Sequence, residues 1–279
     1  MSTVSPAIEP RRLTSLDFVR KWASSGGKKV FNFTAGMAIL LALWWVGIWF
    51  MTSNPRMMHF AGFSPERAIL EGLPWLWEYG SIQSALSASG YRLGMGMLLA
   101  IVIGIPLGII IGRSKLFGDL TNLPFQFLRM ISPLSWEPIA VIAFAAWDHA
   151  IIFLITIGAL WPVVFATAAG MAKIDPAWFK VARNLGATRR HMVTQLILPA
   201  VSYDVLTGVR LALGVAWIVL IPAEFFGTSS GVGYTLQNAR ENLAYENLMA
   251  MIIVIGAIGY VLDSILVRLL NRANWVHGS

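Results

Sequence analysis

Arg129, Glu137, Arg210 and Glu224 are ionisable side chains that fall within or at the edge of stretches otherwise apolar enough to cross a bilayer. A charge at the bilayer centre costs about 2.5–3.5 kcal/mol on the insertion scale, so such groups face a bundle interior, a polar pathway or one another. Guanidinium groups there attract the anionic part of a solute, and carboxylates repel it or exchange protons. Arg129 is expected about nine residues into its apolar run and Arg210 about seven, which puts both roughly 10–14 Å above one surface. Arg210, Gly214, Trp217, Ile221 and Glu224 recur at spacings of four, three, four and three. That is one helical stripe, expected to face a path. Arg129, Ser132 and Trp136 approximate a second stripe, with Glu137 beside it. A structural reading stands next to this one: each arginine snorkels or pairs with a carboxylate, and Asp204 and Asp263 are available as counter-ions.

The segment from Asp175 to Pro199 is charged and hinged on glycine. Asp175 offers a side-chain acceptor at an N-cap, and Pro176 loses nothing in a first turn where its N–H would be unpaired. A short helix is expected from there, with Trp178, Ala182 and Leu185 as its apolar stripe. Gly186 then suits a left-handed turn, and Thr188 caps a second helix. Helix, glycine, helix between two spans suits a knob that inserts into a groove on a partner protein. Other chemistry is poorly represented. The sequence contains no GxxxxGK[ST] loop, HExxH or GxSxG motif, and its four histidines are scattered. Gly231-Val232-Gly233 follows no strand, which excludes a dinucleotide site and leaves a tight glycine turn. No cysteine is present, so no disulfide or thiolate metal site can form, and no metal ligand set is found.

The elements that hold these residues are apolar helices. The 279-residue chain is 57% hydrophobic and 13% charged, with a mean hydropathy of +0.67. Apolar runs near 33–51, 91–112, 122–146, 150–172, 203–223 and 247–270 are each close to the ~20 residues of a spanning helix. Six transmembrane helices of an all-α membrane protein are expected. Prolines 124, 133 and 138 divide the third, and broken helices at membrane depth line protein or a water-filled cavity. Gly104, Gly108 and Gly112 lie on one face of the second and permit close approach of a neighbour. Basic residues gather before the first run, between the second and third, and between the fourth and fifth. Both termini are therefore expected in the cytoplasm. The net charge of +7 is accounted for by this topology and by anionic lipid, without nucleic acid. Residues 1–32 read as a basic cytoplasmic tail with an amphipathic stretch at 16–23, residues 33–89 as the first span and an external segment, 90–270 as the core, and 271–279 as a C-terminal tail.

Ala182, Gly186, Ala187, Ile197, Leu198 and Pro199 resemble the cytoplasmic EAA-type loop of ATP-binding-cassette importer permeases. ISPLSWEPIA (131–140), TGVRLALGVAWIVLIPAE (207–224) and GVGY (231–234) are similar to the branch that handles nitrate, sulfonates, taurine and bicarbonate. The resemblance covers about residues 90–270. It implies a type I importer permease fold with a coupling helix between helices 4 and 5, in the bacterial inner membrane. Two permease copies, plausibly a homodimer, would form the path. Each would dock on a cytoplasmic ATPase that carries ATP and Mg, so no cofactor or catalytic residue is expected on this chain. A soluble binding protein would deliver the solute from outside. By carry-over, Ala182, Asn184, Leu185, Gly186 and Ala187 would meet the ATPase, and Arg129, Trp136, Glu137, Arg210, Gly214, Trp217 and Glu224 would line the path.

Two departures bear on this. Lys180 stands where the loop motif usually carries glutamate, which changes the charge offered to the ATPase. Glu137 stands where an aliphatic residue is usual, and a carboxylate facing the path repels an oxyanion unless paired or protonated. That favours a taurine-like zwitterion over a simple anion. The rival class is a proton-coupled secondary transporter that uses Glu137 and Glu224.

Overall fold

The structure is a computed structural model that describes residues 15–277. Among these every regular element is helical. In chain order they are α1 (Ser15–Thr52), a 3₁₀ segment (Pro55–Phe63), α2 (Pro65–Arg67), a π turn, α3 (Leu73–Glu78), α4 (Ser81–Arg113) and α5 (Lys115–Met130). A 3₁₀ turn (Pro133–Trp136), α6 (Glu137–Ala143), α7 (Trp147–Ala172), α8 (Pro176–Asn184) and α9 (Arg189–His191) follow. A π turn (Met192–Ile197), α10 (Leu198–Phe225), α11 (Val232–Glu241) and α12 (Tyr245–His277) complete the chain.

The chain divides into two units after Pro65. In the first, the Trp44 indole N–H donates to the Phe63 carbonyl at 3.0 Å, which ties the 3₁₀ segment back onto α1. Because α1 begins at Ser15, the second half of the expected tail continues into the first span as one helix. Residues 1–14, and the side chains of the 16–23 stretch expected to be amphipathic, lie outside the described part.

Among the described residues five helices are long and apolar enough to cross a membrane: Phe31–Thr52, Ser81–Arg113, Trp147–Ala172, Arg189–Phe225 and Tyr245–Arg272. The sixth expected run, 122–146, is broken instead. Pro133 offers no N–H and holds Ser132 extended at ψ 132°, and Pro138 starts a new helix in its first turn. Of these three prolines only Pro124 lies in a helix interior, that of α5. The helix expected from residue 91 begins at Ser81. Its extra turns bury Ile82 and Ala85 with Leu76, Val232, Ala250 and Met251, a contact no local pattern announces.

The core of the second unit lies among α4, α7 and α10. Its centre is α7, with 61% of its most apolar stretch buried. Small residues make this possible. A Cβ built on Gly96 would lie 2.5 Å from Ile155, one on Gly104 2.9 Å from Val163, and one on Gly108 2.5 Å from Thr167. The Gly112 position meets Met171 in the same way. Ala100 and Ala159, both fully buried, fill the gap in this series. The pairs advance together every four residues, so α4 and α7 run parallel along a ridge of i+4 spacing. Gly208 of α10 meets Pro162 and Ala166, while Gly170 meets Asp204, so α10 runs antiparallel to α7. The Thr156 hydroxyl donates to its own-helix Ile152 carbonyl at 2.7 Å and reaches the Gly96 carbonyl at 3.3 Å.

A leucine at Gly108 would overlap both the Thr167 side chain and the Val164 carbonyl, and overpacking of this kind costs about 1–3 kcal/mol. Gly108→Leu is expected to lower the thermal midpoint of the detergent-solubilised chain by several degrees. Gly94→Ala, on an open face of the same helix, is expected to leave it unchanged. Equal midpoints for the two would refute close α4–α7 packing.

Candidate functional site

At one end of α7, α8 and α9 build a compact knob. The Asp175 carboxylate accepts from the Ala177 N–H at 2.8 Å, so the helix starts at its cap. It ends with paired backbone bonds: the Gly186 N–H donates to Arg183 and the Ala187 N–H to Ala182, both at 3.0 Å. Gly186 takes φ +77°, the left-handed value that closes such an end. The Thr188 hydroxyl then accepts from the His191 N–H at 3.3 Å. Phe179 anchors the knob among Met171, Ile197 and Val201, with the Arg113 guanidinium 4.6 Å over its ring. The stripe expected from Trp178, Ala182 and Leu185 is not the buried face. Trp178 is 61% exposed and Leu185 82% exposed, together with Val181, while Ala182 and Ala187 are half-buried. Asn184 and Gly186 are exposed beside them.

At the opposite end lies a buried polar network. Glu224 is fully buried, and its carboxylate accepts from Ser89 Oγ at 2.7 Å, Arg92 Nη1 at 2.6 Å and the Gly233 N–H at 2.8 Å. Arg92, 3% exposed, also donates to Asp148 at 2.7 Å and to the Ser230 carbonyl and hydroxyl. The Val232 N–H donates back to Ser89 Oγ at 2.8 Å. Gly231, at φ +117°, lets the chain pass close enough for the first N–H groups of α11 to face this carboxylate. A carboxylate at a helix N-terminus is favoured by the axial dipole as well. Arg92 stands inside the second apolar run and is itself an intramembrane charge. That signal was present in the sequence, but its partner is 132 residues away.

The expected α10 stripe turns toward α12 and α11. Arg210 binds Asp263 through Nε at 2.7 Å and Nη2 at 2.9 Å, a two-pronged pair. Trp217 stands against Gly259 of α12, and Ile221 packs toward Leu76 and Val232. Gly214 is open, with nothing near it. Asp204 has a different partner, Lys173 Nζ at 2.6 Å. Arg129 ends α5 with its guanidinium 5.1 Å over the Phe165 ring. Gly208 sits opposite Ala166, so Arg210 and Arg129 stand at nearly one level of α7. Trp136 packs against the core with its indole N–H buried and without a hydrogen bond. Glu137, half-buried, opens α6. No group of three or more metal-ligating side chains occurs among the described residues.

Long apolar helices around an ion-paired, small-residue core define a polytopic integral membrane protein. Residues 104–275 match the family described as binding-protein-dependent transport system inner membrane component, and the chain belongs to that family. It is 36% identical over 177 residues to the bicarbonate transport system permease protein CmpB of Synechococcus elongatus, covering 63% of this chain and 64% of that protein. It is 29% identical over 263 residues to the taurine transport system permease protein TauC of Escherichia coli, covering 92% and 94%. With the nitrate import permease protein NrtB of Leptolyngbya laminosa it shares 33% identity over 187 residues, 67% of each chain.

Removing one member of a buried ion pair leaves the other uncompensated, at a cost of about 3–5 kcal/mol. Arg92→Leu is expected to lower the thermal midpoint sharply, and Glu224→Gln in the same chain to recover part of the loss. Asp148→Asn should have the smallest effect, because that side chain is 53% exposed. A midpoint unchanged by Arg92→Leu would show that the network does not hold the fold.

Proposed function

We propose that this chain is the permease subunit of an ATP-driven importer for a small anionic or zwitterionic solute, working by alternating access. Membership of a binding-protein-dependent transport family supports the class. The named solutes of its relatives, bicarbonate, taurine and nitrate, support the chemistry: each is an oxyanion or carries one. The observation that carries the reading is the α8 knob. A helix fixed by a cap at one end and a left-handed glycine at the other holds Trp178, Val181 and Leu185 out as an apolar face among Lys180, Arg183, Arg189 and Arg190. An apolar patch with a polar rim suits a protein partner. The partner of this class is a cytoplasmic ATPase carrying ATP and Mg, with Ala182, Asn184, Leu185, Gly186 and Ala187 at the contact.

Two permease copies, an extracytoplasmic binding protein and an inner-membrane location with both termini cytoplasmic complete the proposed assembly. The basic residues Arg113, Lys115, Lys173 and Lys180 at the α8 end support that orientation. A proton-coupled carrier built on Glu224 is disfavoured. That carboxylate is committed to Ser89, Arg92 and Gly233 in a fully buried network.

Valine at Gly186 would oppose the positive φ and distort the knob. In the complex reconstituted with its ATPase and binding protein, Gly186→Val is expected to cut uptake and solute-stimulated ATP hydrolysis by about tenfold, or ~1.4 kcal/mol. Membrane insertion should stay normal. Leu185→Asp, at an exposed position, is expected to do the same without disturbing the fold. Wild-type coupling in both variants would sink the docking role.

A further inference from the structure

Of the arginines at membrane level, two are answered by carboxylates within the chain. Arg92 binds Glu224 and Asp148, and Arg210 binds Asp263. Arg129 differs. Among the described residues its guanidinium has no carboxylate partner within salt-bridge distance and lies 5.1 Å over the face of Phe165. Phe125 of the same helix packs on Trp161 at 5.5 Å. These contacts place α5 beside α7 seven to eleven residues short of Ala172, about 10–16 Å from that end at 1.5 Å per residue. An exposed charge at this depth needs water or a counter-charge.

The rest of α5 says which way that charge faces. Leu116, Leu120, Leu123, Phe127 and Met130 form an exposed apolar stripe at spacings of four, three, four and three. Gly118, Thr121, Phe125 and Leu128, half-buried, form the flank toward the protein. Between the two runs a third stripe, Asp119, Asn122, Gln126 and Arg129, exposed and wholly polar. The Gln126 amide N–H donates to Asn122 Oδ1 at 2.6 Å, which leaves amide donors on both residues available on the stripe that ends in Arg129, one and two turns before it. Lipid suits the apolar stripe and cannot suit the polar one about 100° away. Just beyond Arg129 the helix stops at the Ser132-Pro133 break, and irregular backbone at this depth is either packed in protein, as Leu134 and Trp136 are, or lines a water-filled cavity.

We infer that the polar flank of α5 faces the water-filled path and that Arg129, helped by the amides of Asn122 and Gln126, is the group that meets the solute's oxyanion, while Arg210 is neutralised by Asp263. This deepens the importer reading and rests on it. A planar guanidinium with adjacent amide donors matches carboxylate, sulfonate, nitrate or bicarbonate oxygens. Asp119, at the far end of the stripe and ten residues or about 15 Å from Arg129 along the axis, lies too distant to neutralise it.

The chain contains no cysteine, so single cysteines can be read without background. In membrane vesicles holding the full chain, Asn122→Cys and Gln126→Cys are expected to react with a water-soluble maleimide, and Leu120→Cys, Leu123→Cys and Phe127→Cys to resist it. Methanesulfonate, nitrate or taurine should slow labelling of Asn122→Cys, and methylammonium should not. Arg129→Gln should weaken that protection by about tenfold, the loss of a charge-assisted hydrogen bond. Arg129→Lys should restore part of it, and the Arg210→Gln, Asp263→Asn double change should leave it in place. Labelling on the apolar stripe instead, or protection indifferent to Arg129→Gln, overturns the inference. If Arg129→Gln fails to insert, protection undiminished in both Arg129→Lys and Gln126→Ala overturns it. Failure of the importer reading is separate: the wild-type complex would show no ATP-dependent uptake while the labelling and protection patterns stood.

Discussion

The contact between Arg92 and Glu224 is the constraint on which the second unit depends. Both charges are taken out of solvent, and the cost of that is offset by further partners: Asp148 and Ser230 for Arg92, and Ser89 and the Gly233 N–H for Glu224. One guanidinium therefore links α4 to α7, α10 and the turn before α11. Gly231 and Gly233 are required by the same arrangement, since a Cβ at either position would collide with the Glu224 side chain.

Inward from that network the physics changes from pairing to packing. With lipid outside, helices gain little from hiding apolar surface, and close approach through small residues takes over. Gly96, Ala100, Gly104, Gly108 and Gly112 give α7 a groove in which Ile155, Val163, Thr167 and Met171 sit. At the far end the same two helices carry Arg113 and part of the hydrophobic seat of Phe179, so the knob is anchored on the closely packed α4–α7 pair.

Charge disposition separates the parts that hold from the parts that act. Arg92 and Arg210, each paired with a carboxylate, stand where helices meet, and Arg129, with no carboxylate partner among the described residues, stands at the end of a broken helix with a polar flank. Glu137 opens the next helix just beyond the break, where a solute with a positive group would find a carboxylate. The contrast has a dielectric reason: where helices pack together, a charge is stable only with its counter-charge beside it, as Arg92 and Arg210 have theirs.

Local chemistry was enough for much of this. The Asp175 cap, the Gly186 turn, the Thr188 cap, the glycine face of α4 and the break at Pro133 all depend on residues within a turn or two of one another, so their signatures lie in contiguous sequence. Long apolar runs fixed the class for the same reason, because the bilayer measures helix length directly. Periodicity also told which side chains share a face, but it carries no information on which neighbour that face meets. Only the tertiary structure could turn the Arg210–Glu224 stripe toward α12 and α11, extend α4 back to Ser81, leave Trp178 and Leu185 exposed while Phe179 anchors, and join Arg92 to Glu224. Each of those depends on contacts between residues far apart in the chain, where pairing energy is decided by geometry that no local pattern encodes.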